Sequence, residues 1–484
     1  MASESTAPIA GRQLSLHERY SITRHNTGYP HPVVITLAYE STSALPTTTF
    51  LHDRIVALQQ LFPHLYAHVV DGRTNKPAWE LRPRPYAPEE ILRPDQTITQ
   101  LSGSSAESGQ LEQALKAALA SAKSTAEDET PLWQVQRYIP ANDTGGTAYL
   151  AVWASHQLAD GVGTLRLAQA ILSPDISTLR TETSLAPKLE DSVNIEPPVT
   201  HLLPVVFQKL LLPSLPSFIQ AYFKPAAPWP AERILQRPTQ CEEDLLLVQI
   251  PGELVSVIKS AGASHGVRTL HPILELAYLV SIWAVFSHDK APLLLDGQTP
   301  RNERAAEKGH GQITGNYVSS LHHQVTPSRD SSFWSLAKDC ARSLTAEDGL
   351  RRGRYAMGML AYVPDPDNFS SPDPKRPTGW EDFFLNQIES EAPYDASMTI
   401  SNLGLAHLPS GAIDIAWAQP ASPFIPPLLL DVVGHRSGLS VTVSWREGCV
   451  VTRAQVERMN QTFTALLSRL SKAEGEPTLD ELTA

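Results

Sequence analysis

Continuous apolar runs alternate with stretches of helical spacing along the whole chain. Residues 33–39 (VVITLAY) and 149–155 (YLAVWAS) are rich in β-branched and aromatic residues, which predicts buried strands. Residues 47–64 and 452–470 instead repeat apolar positions at helical spacing, which predicts helices with one apolar face. This mixture predicts an α/β (α+β) protein, in which helices flank mixed sheets.

The stretch 148–171 combines a predicted strand, a short loop and an amphipathic helix around one histidine. Of the 16 histidines, only His156 is followed by Asp-Gly at the fourth and fifth positions, Asp160 and Gly161. A histidine at a strand end is well placed for catalysis, because the sheet fixes its backbone while its ring faces a cleft. The alternative is a core histidine followed by an aspartate that caps the next helix. The motif alone does not choose between the two.

The length of 484 residues predicts more than one hydrophobic core. The composition favours an N-terminal lobe at 1–200, a linker at 201–240 and a C-terminal lobe at 241–484. Residues 201–230 mix leucines, aromatic residues and prolines, which predicts a series of short helical pieces. This segment is interpreted as a crossover linker, with a hydrophobic lid or lipid-facing patch as the alternative.

Charge and cysteine usage exclude several classes of function. The formal net charge of -12 argues against nucleic acid and anionic membrane surfaces as partners. Cys241, Cys340 and Cys449 have no metal-ligand spacing, so we expect reduced thiols and no metal site. The N-terminus has no signal-peptide pattern, and no apolar run is long enough for a membrane span. A soluble, cytoplasmic protein is expected.

Four short motifs follow one another in an order typical of one family. They are HxxxDG at His156, PRNER at 300–304, GNY at 315–317 and SNLG at 401–404. In these motifs the chain resembles the fungal alcohol acetyltransferase-like family. That family belongs to the chloramphenicol acetyltransferase-like group, together with plant BAHD acyltransferases and peptide-synthetase condensation domains. The resemblance implies two lobes, each a mixed sheet with flanking helices, a tunnel between them and a monomer.

The resemblance also implies roles for the first two motifs. His156 would act as general base in a ternary complex of acyl-CoA and a small-molecule acceptor. Acetyl-CoA would be a co-substrate, with no bound cofactor. Asp160 would turn away from the ring and pair with an arginine of the second lobe, Arg301 or Arg304, and so hold the loop with Gly161 in shape.

The remaining motifs would line the tunnel. Gly315 and Asn316 match a strand that contacts the acyl donor in the family. Ser401 and Asn402 stand where plant members carry Asp-Phe-Gly-Trp-Gly, and either could donate to the oxyanion of the tetrahedral intermediate. The cationic clusters are interpreted as solvated surface, namely Arg351, Arg352, Arg354, Lys375 and Arg376.

Three functions are compatible with these observations. The first is an acyl-CoA-dependent O-acyltransferase of secondary metabolism, which acetylates an alcohol of a small apolar molecule. The second is a condensation-type enzyme that takes its acyl group from a carrier protein. The third is a cyclase or pericyclase on the same fold that transfers no acyl group. The intact HxxxDG motif favours transfer, because a catalyst that acts by shape alone needs no such base.

Overall fold

The computed structural model describes residues 10–98, 106–124, 130–141, 146–223, 226–287 and 292–484. Residues 1–9 lie outside the described residues. They belong to the N-terminal stretch in which no signal-peptide pattern was found. The strands in the described ranges are β1 (Arg12–Gln13), β2 (Pro32–Tyr39), β3 (Ala67–Val70), β4 (Ala78–Leu81), β5 (Gln96–Ile98), β6 (Trp133–Pro140), β7 (Ala148–Ser155), β8 (Glu243–Pro251), β9 (Leu295–Asn302), β10 (Val318–Val325), β11 (Met398–Leu405), β12 (Ala412–Ala418), β13 (Leu428–His435) and β14 (Gly438–Arg446).

The α-helices connect and cover these strands. They are α1 (Leu16–Asn26), α2 (Thr48–Leu61), α3 (Pro88–Ile91), α4 (Ala106–Ser124), α5 (Gly161–Leu172), α6 (Val199–Val206), α7 (Ser217–Phe223), α8 (Gly252–Ser264), α9 (His271–Phe286), α10 (Phe333–Thr345), α11 (Glu347–Gly358), α12 (Gly379–Ile388), α13 (Arg453–Leu470) and α14 (Leu479–Thr483).

The first lobe is built on a five-stranded sheet in the order β12-β2-β7-β6-β5. Helices cover both faces. Leu58 of α2 and Leu167 of α5 join the core on one face, and Leu115 of α4 packs with Val34 and Tyr149 on the other. All eight residues of β2 are buried. Burial on both faces explains why β2 and β7 are continuous apolar runs instead of alternating ones.

The second lobe is built on a six-stranded sheet in the order β10-β9-β11-β13-β14-β8, in which β11 runs parallel to both neighbours. Helix α9 lies in the core of this lobe, where Leu279 packs in one cluster with Phe463 of α13 and Val443 of β14. The helix is buried nearly all round, so it has no polar face. The predicted two-lobed α/β fold with mixed sheets is confirmed.

Strand β12 crosses from the second half of the chain into the sheet of the first lobe. It pairs antiparallel with β2, so that Ile415 lies opposite Leu37 and Trp417 opposite Ile35. The predicted division at residues 201–240 does not describe this exchange. The sheet that carries His156 is thus completed by residues more than half the chain away.

The segment at 201–230 consists of short helical pieces, as the prolines predict. It includes α6, short π and 3-10 turns, and α7. Its large apolar side chains are exposed at Leu203, Phe218 and Tyr222, whereas the ring of His201 lies 5.5 Å from that of Tyr355 in α11. Across the described residues, no helix has the length and apolar character that a membrane crossing needs.

Candidate active site

His156 lies directly after β7, and the sheet fixes its backbone. In the register of β7 against β2, Ser155 lies opposite Pro32. The next step of the ladder is a hydrogen bond in which the His156 N–H donates to the carbonyl oxygen of His31 at 3.0 Å. The chain then turns into α5. The ring of His156 is therefore delivered by a rigid strand to a cavity between the lobes.

Asp160 holds the loop after His156 through partners from both lobes. It caps α5, because its Oδ1 accepts from the Gly163 N–H at 2.7 Å. From the second half of the chain, Arg304 Nη2 donates to both carboxylate oxygens at 2.8 Å and the Tyr317 N–H donates to Oδ2 at 3.0 Å. Burial raises the pKa of Asp160, but Arg304 and the two N–H donors outweigh it and leave the pKa below its ordinary value.

Gly315 and Asn316 bring the second lobe against the histidine loop. The Gly315 N–H donates to the carbonyl oxygen of Leu158 at 2.7 Å, with a φ of +86° in the left-handed region that favours glycine. Asn316 places its Nδ2 3.0 Å from His156 Nδ1 and donates from it to the His156 carbonyl oxygen at 2.9 Å. Its Oδ1 lies 3.0 Å from Nδ1 of His17. The amide therefore fixes two histidine rings at once.

The ring of His156 is neutral at physiological pH. Burial lowers its pKa well below the usual value, and the charge of Arg24 and the neighbouring His17 lower it further. Asp160 opposes this shift, but no hydrogen bond from its carboxylate to the ring is present in the described part of the chain. Nδ1 has Asn316 as its neighbour, whereas Nε2 has no hydrogen-bond partner among the described residues.

A cavity of 380 Å³ lies beside His156 between the two lobes. Its lining combines polar side chains with apolar and aromatic ones, which is typical of small-molecule sites. The polar and charged residues are His17, Tyr20, Arg24, His31, His156, Gln298, Ser319, Ser320, His322, Gln387, Tyr394, Asp395, Thr399, Ser401 and Gln419. Apolar side chains include those of Met357, Leu360, Phe384 and Phe424. The space suits a small molecule with both polar and apolar parts.

A second histidine faces this cavity from the second lobe. His322 Nδ1 lies 2.9 Å from Asp296 Oδ1, and Gln324 donates to the other carboxylate oxygen at 2.9 Å. Burial lowers the pKa of His322, but the hydrogen bond and charge of Asp296 outweigh it, so the net shift is upward. The pKa of His322 is thus shifted in the opposite direction from those of the three other cavity histidines, His17, His31 and His156, which burial lowers.

The structure brings most of the predicted site residues together, but not all of them. Arg304 pairs with Asp160, whereas Arg301 pairs with Glu303 at 2.7 Å. Ser401 lines the cavity. Asn402 instead accepts a hydrogen bond from the Gly404 N–H at 2.8 Å within β11. Gly161 begins α5, where an added Cβ would lie 2.9 Å from the side chain of Leu403.

Sequence reasoning gave too little weight to the part of the site that α1 contributes, because it favoured a helical turn over the entry to a ligand cleft at residues 17–20. His17, Tyr20 and Arg24 all line the cavity from this helix. Their spacing of three and four residues places them on one helical face, and this polar face was the available signal. His31, one residue before β2, gave no signal because only the strand pairing brings it to His156.

The four arginines among the predicted surface cations pair with acidic side chains. Arg351 and Arg352 pair with Asp348, Arg354 pairs with Glu303, and Arg376 pairs with Asp382 and Glu389. Tyr29 lines a further cavity of 480 Å³, and its ring is 5.8 Å from that of Phe424, which lines the cavity of His156. Lys123, Glu243 and Arg446 also line this further cavity.

The cysteines form no disulfide. Cys241, Cys340 and Cys449 are free and buried. Burial raises the pKa of Cys449 to about 11, so its thiol is protonated at physiological pH and is a poor nucleophile. The described ranges contain no cluster of three or more histidine, cysteine or acidic side chains suited to a metal ion.

Comparisons with known proteins identify the fold through structure alone. No protein-family model and no curated protein sequence matches the chain. The trichothecene 15-O-acetyltransferase of Fusarium sporotrichioides is similar in structure, with a TM-score of 0.62 at 10% identity, covering 97% of this chain and 99% of that one.

Domains of two synthases are similar in structure to nearly the same degree. A cyclization-docking bidomain of a peptide synthetase from Sorangium cellulosum has a TM-score of 0.61 at 14% identity, covering 98% of this chain and 88% of that one. The condensation domain of the monacolin K polyketide synthase has a TM-score of 0.61 at 10% identity, covering 98% and 100%. The fungal branch of the resemblance stays a prediction. The chain has the two-lobed fold that this acetyltransferase shares with condensation domains.

Proposed function

We propose that the protein transfers an acyl group from an acyl-CoA thioester, acetyl-CoA in the simplest case, to the hydroxyl of a small molecule. The main support is His156. Its ring is neutral, its Nε2 has no hydrogen-bond partner in the described ranges, and it stands at a cavity that both lobes line. A general base needs this combination of a free lone pair and access to substrate. The similarity in fold to an acetyltransferase is consistent with the proposal.

In the proposed step, the acceptor oxygen bonds to the thioester carbonyl carbon as its proton passes to Nε2 of His156. The resulting oxyanion is stabilised by a hydrogen-bond donor, for which the Ser401 hydroxyl on the cavity wall is our candidate. The intermediate then breaks its C–S bond, and His156 returns the proton to the leaving thiolate. The products are the ester and the free thiol, and the ring is again neutral.

This role requires the ring proton of His156 to be on Nδ1. The backbone carbonyl of His156 raises the pKa of its ring, and an acceptor at this position favours a proton on Nδ1. Asn316 Nδ2 is already committed to that same carbonyl oxygen at 2.9 Å, so it need not donate to Nδ1. Asn316 thus acts as a positioning residue, which holds the ring with Nε2 directed to the cavity.

A carrier-protein thioester is the second candidate for the acyl donor. The similarity in fold to condensation domains favours it. The chemistry at His156 would be the same, and only the route of the pantetheine arm would differ. The buried free thiols fit a reducing compartment, so we place the protein in the cytoplasm, as a monomer.

The test is acyl transfer by the purified protein. Acetyl-CoA is incubated with a panel of alcohols and amines, and release of free thiol is followed. We expect His156→Ala to lower the rate by roughly 10²- to 10⁴-fold. The matched control is His407→Ala, because His407 is exposed and lies outside the cavity. Turnover by His156→Ala at the wild-type rate would contradict the proposal, and transfer only from a carrier-bound thioester would favour the second candidate.

A further inference from the structure

Arg24 is a buried guanidinium for which the described residues supply no carboxylate. It lies in the last turn of α1 and is 5% exposed. Its Nη2 donates to Ser21 Oγ at 3.3 Å, and its guanidinium carbon, Cζ, lies 4.8 Å from the ring centre of Tyr20. Its Nε is buried and has no hydrogen-bond partner among the described residues. Other buried arginines differ in this respect, since Arg304 pairs with Asp160 and Arg19 with Asp365.

Arg24 lines the same cavity as His156. The three nearby histidines cannot balance its charge, because burial together with Arg24 lowers the pKa values of His17, His31 and His156 and keeps their rings neutral. Asp395 also lines the cavity, but it is not among the groups that shift the pKa of Arg24, which are burial and Tyr20. An arginine stays charged even when buried, and holding such an ion without a partner costs several kcal/mol. This end of the cavity is therefore a preformed site for an anion.

We propose that Arg24 binds a carboxylate of the molecule that is acylated, so that the acceptor is a hydroxy acid and not a neutral alcohol. A planar guanidinium matches a carboxylate with two parallel hydrogen bonds, which fixes orientation as well as charge. The unpartnered Nε gives Arg24 a free donor of this kind. The statement that the bound carboxylate belongs to the acyl acceptor rests on the proposed function. Binding of a carboxylate by Arg24 does not depend on it.

Binding of a carboxylate to Arg24 would also raise the proton affinity of His156. Arg24 is the second-largest cause, after burial, of the low pKa of His156. A carboxylate on Arg24 offsets that positive charge and moves the pKa of His156 upward, toward the range in which it accepts a proton more readily. An acid acceptor should therefore have a higher kcat and a lower KM than its neutral ester.

Calorimetric binding without any acyl donor tests the site independently of catalysis. The probes are 3-hydroxybenzoate and 3-hydroxyoctanoate, each compared with its own methyl ester. We expect each acid to bind wild-type protein at least about tenfold tighter than its ester, because a hydrogen bond to a charged group is worth roughly tenfold or more in affinity. Arg24→Met should remove the difference and Arg24→Lys should keep part of it. Arg351→Met, at an exposed arginine outside the cavity, is the control.

Equal binding of acid and ester to wild-type protein overturns the proposal, as does the absence of acid binding up to millimolar concentrations. Coenzyme A is titrated in parallel. If Arg24→Met weakens coenzyme A binding and leaves acid binding unchanged, the anion belongs to the donor and the proposal fails. Acid selectivity without any acyl transfer would retain the carboxylate site and overturn the proposed function alone. If Arg24→Met does not fold, the proposal is still tested by Arg24→Lys and by the comparison of acid and ester binding to the wild-type protein.

Discussion

Asn316 and His156 are joined twice across the two lobes, at the ring and at the backbone. The asparagine nitrogen lies 3.0 Å from His156 Nδ1 and 2.9 Å from the His156 carbonyl oxygen. One amide of the second lobe thus sets the orientation of a ring that is carried by the first lobe. A change of charge at this position should therefore act directly on the proton affinity of His156.

Asn316→Asp is expected to move the acid limb of the kcat/KM profile to higher pH. A carboxylate this close to the ring favours the imidazolium, so the pKa of His156 rises, and the neutral base is then lost at a higher pH than in the wild type. The measurement is a pH–rate profile with acetyl-CoA and an accepted alcohol. Asn402→Asp is the control, because its side chain serves the Gly404 N–H and can still accept that bond. An unchanged acid limb in Asn316→Asp would contradict this assignment.

Asp160 and Arg304 should show strong coupling, whereas Asp160 and Arg301 should not. The Asp160 and Arg304 side chains are 2% and 3% exposed, and breaking a buried pair from one side costs about 3–5 kcal/mol. Double-mutant cycles of Asp160→Asn with Arg304→Met and with Arg301→Met measure this by urea unfolding. We expect a coupling energy of about 0.5–3 kcal/mol for Arg304 and additive effects for Arg301. Additive effects for Arg304 would show that the pair contributes no net coupling.

Gly315→Ala should destabilise the protein more than Gly309→Ala. Both glycines have positive φ, +86° and +73°, so both substitutions carry the left-handed penalty of about 1–2 kcal/mol. Only Gly315 is also crowded, since its added Cβ would lie 2.5 Å from the Tyr317 ring, whereas Gly309 has open space. Overpacking adds about 1–3 kcal/mol. Chemical denaturation of the two variants measures the difference, and equal losses would mean that the Tyr317 ring moves aside freely.

The protein should lose stability as the pH falls below about 6.5. Burial lowers the pKa of His17 to about 4 and that of His64 to about 3, so the unfolded chain binds these protons first. A group whose folded pKa is depressed stabilises the fold above its unfolded pKa and loses that contribution on acidification. Each histidine should cost up to about 2 kcal/mol at pH 5. His322 has a raised pKa and acts in the opposite direction.

Urea unfolding of the wild type and of His64→Gln between pH 7.5 and pH 5 tests this dependence. His64 is fully buried and accepts a hydrogen bond from the Ala186 N–H, so glutamine keeps an acceptor without titrating in this range. The variant should show a shallower pH dependence than the wild type. If the free energy of unfolding changes with pH equally in the two proteins, His64 does not contribute to the loss of stability in acid.

Local features of the fold and site could be predicted from the sequence, and long-range partners could not. The passage from β7 through His156 to α5 follows from its apolar run, glycines and helical spacing. The predicted buried helix at 271–286 is observed as α9. The choice between Arg301 and Arg304 could not be made, because it depends on which side of β9 and its following loop faces Asp160. Arg24 could not be identified as a candidate binding residue, because its lack of a carboxylate partner among the described residues is visible only in the tertiary contacts.

The crossing of β12 into the first sheet also has a consequence for synthesis of the chain on the ribosome. Until residues 412–418 emerge, β2 has an unpaired edge in an apolar sheet, and such edges pair readily with other chains. At about 5–20 residues per second, the interval between emergence of Leu37 and of Ile415 lasts roughly 20 to 80 s. The lobe that carries His156 is therefore the first to be synthesised, but its sheet is completed late. We expect the chain to be most prone to aggregation in this interval, before β12 pairs with β2.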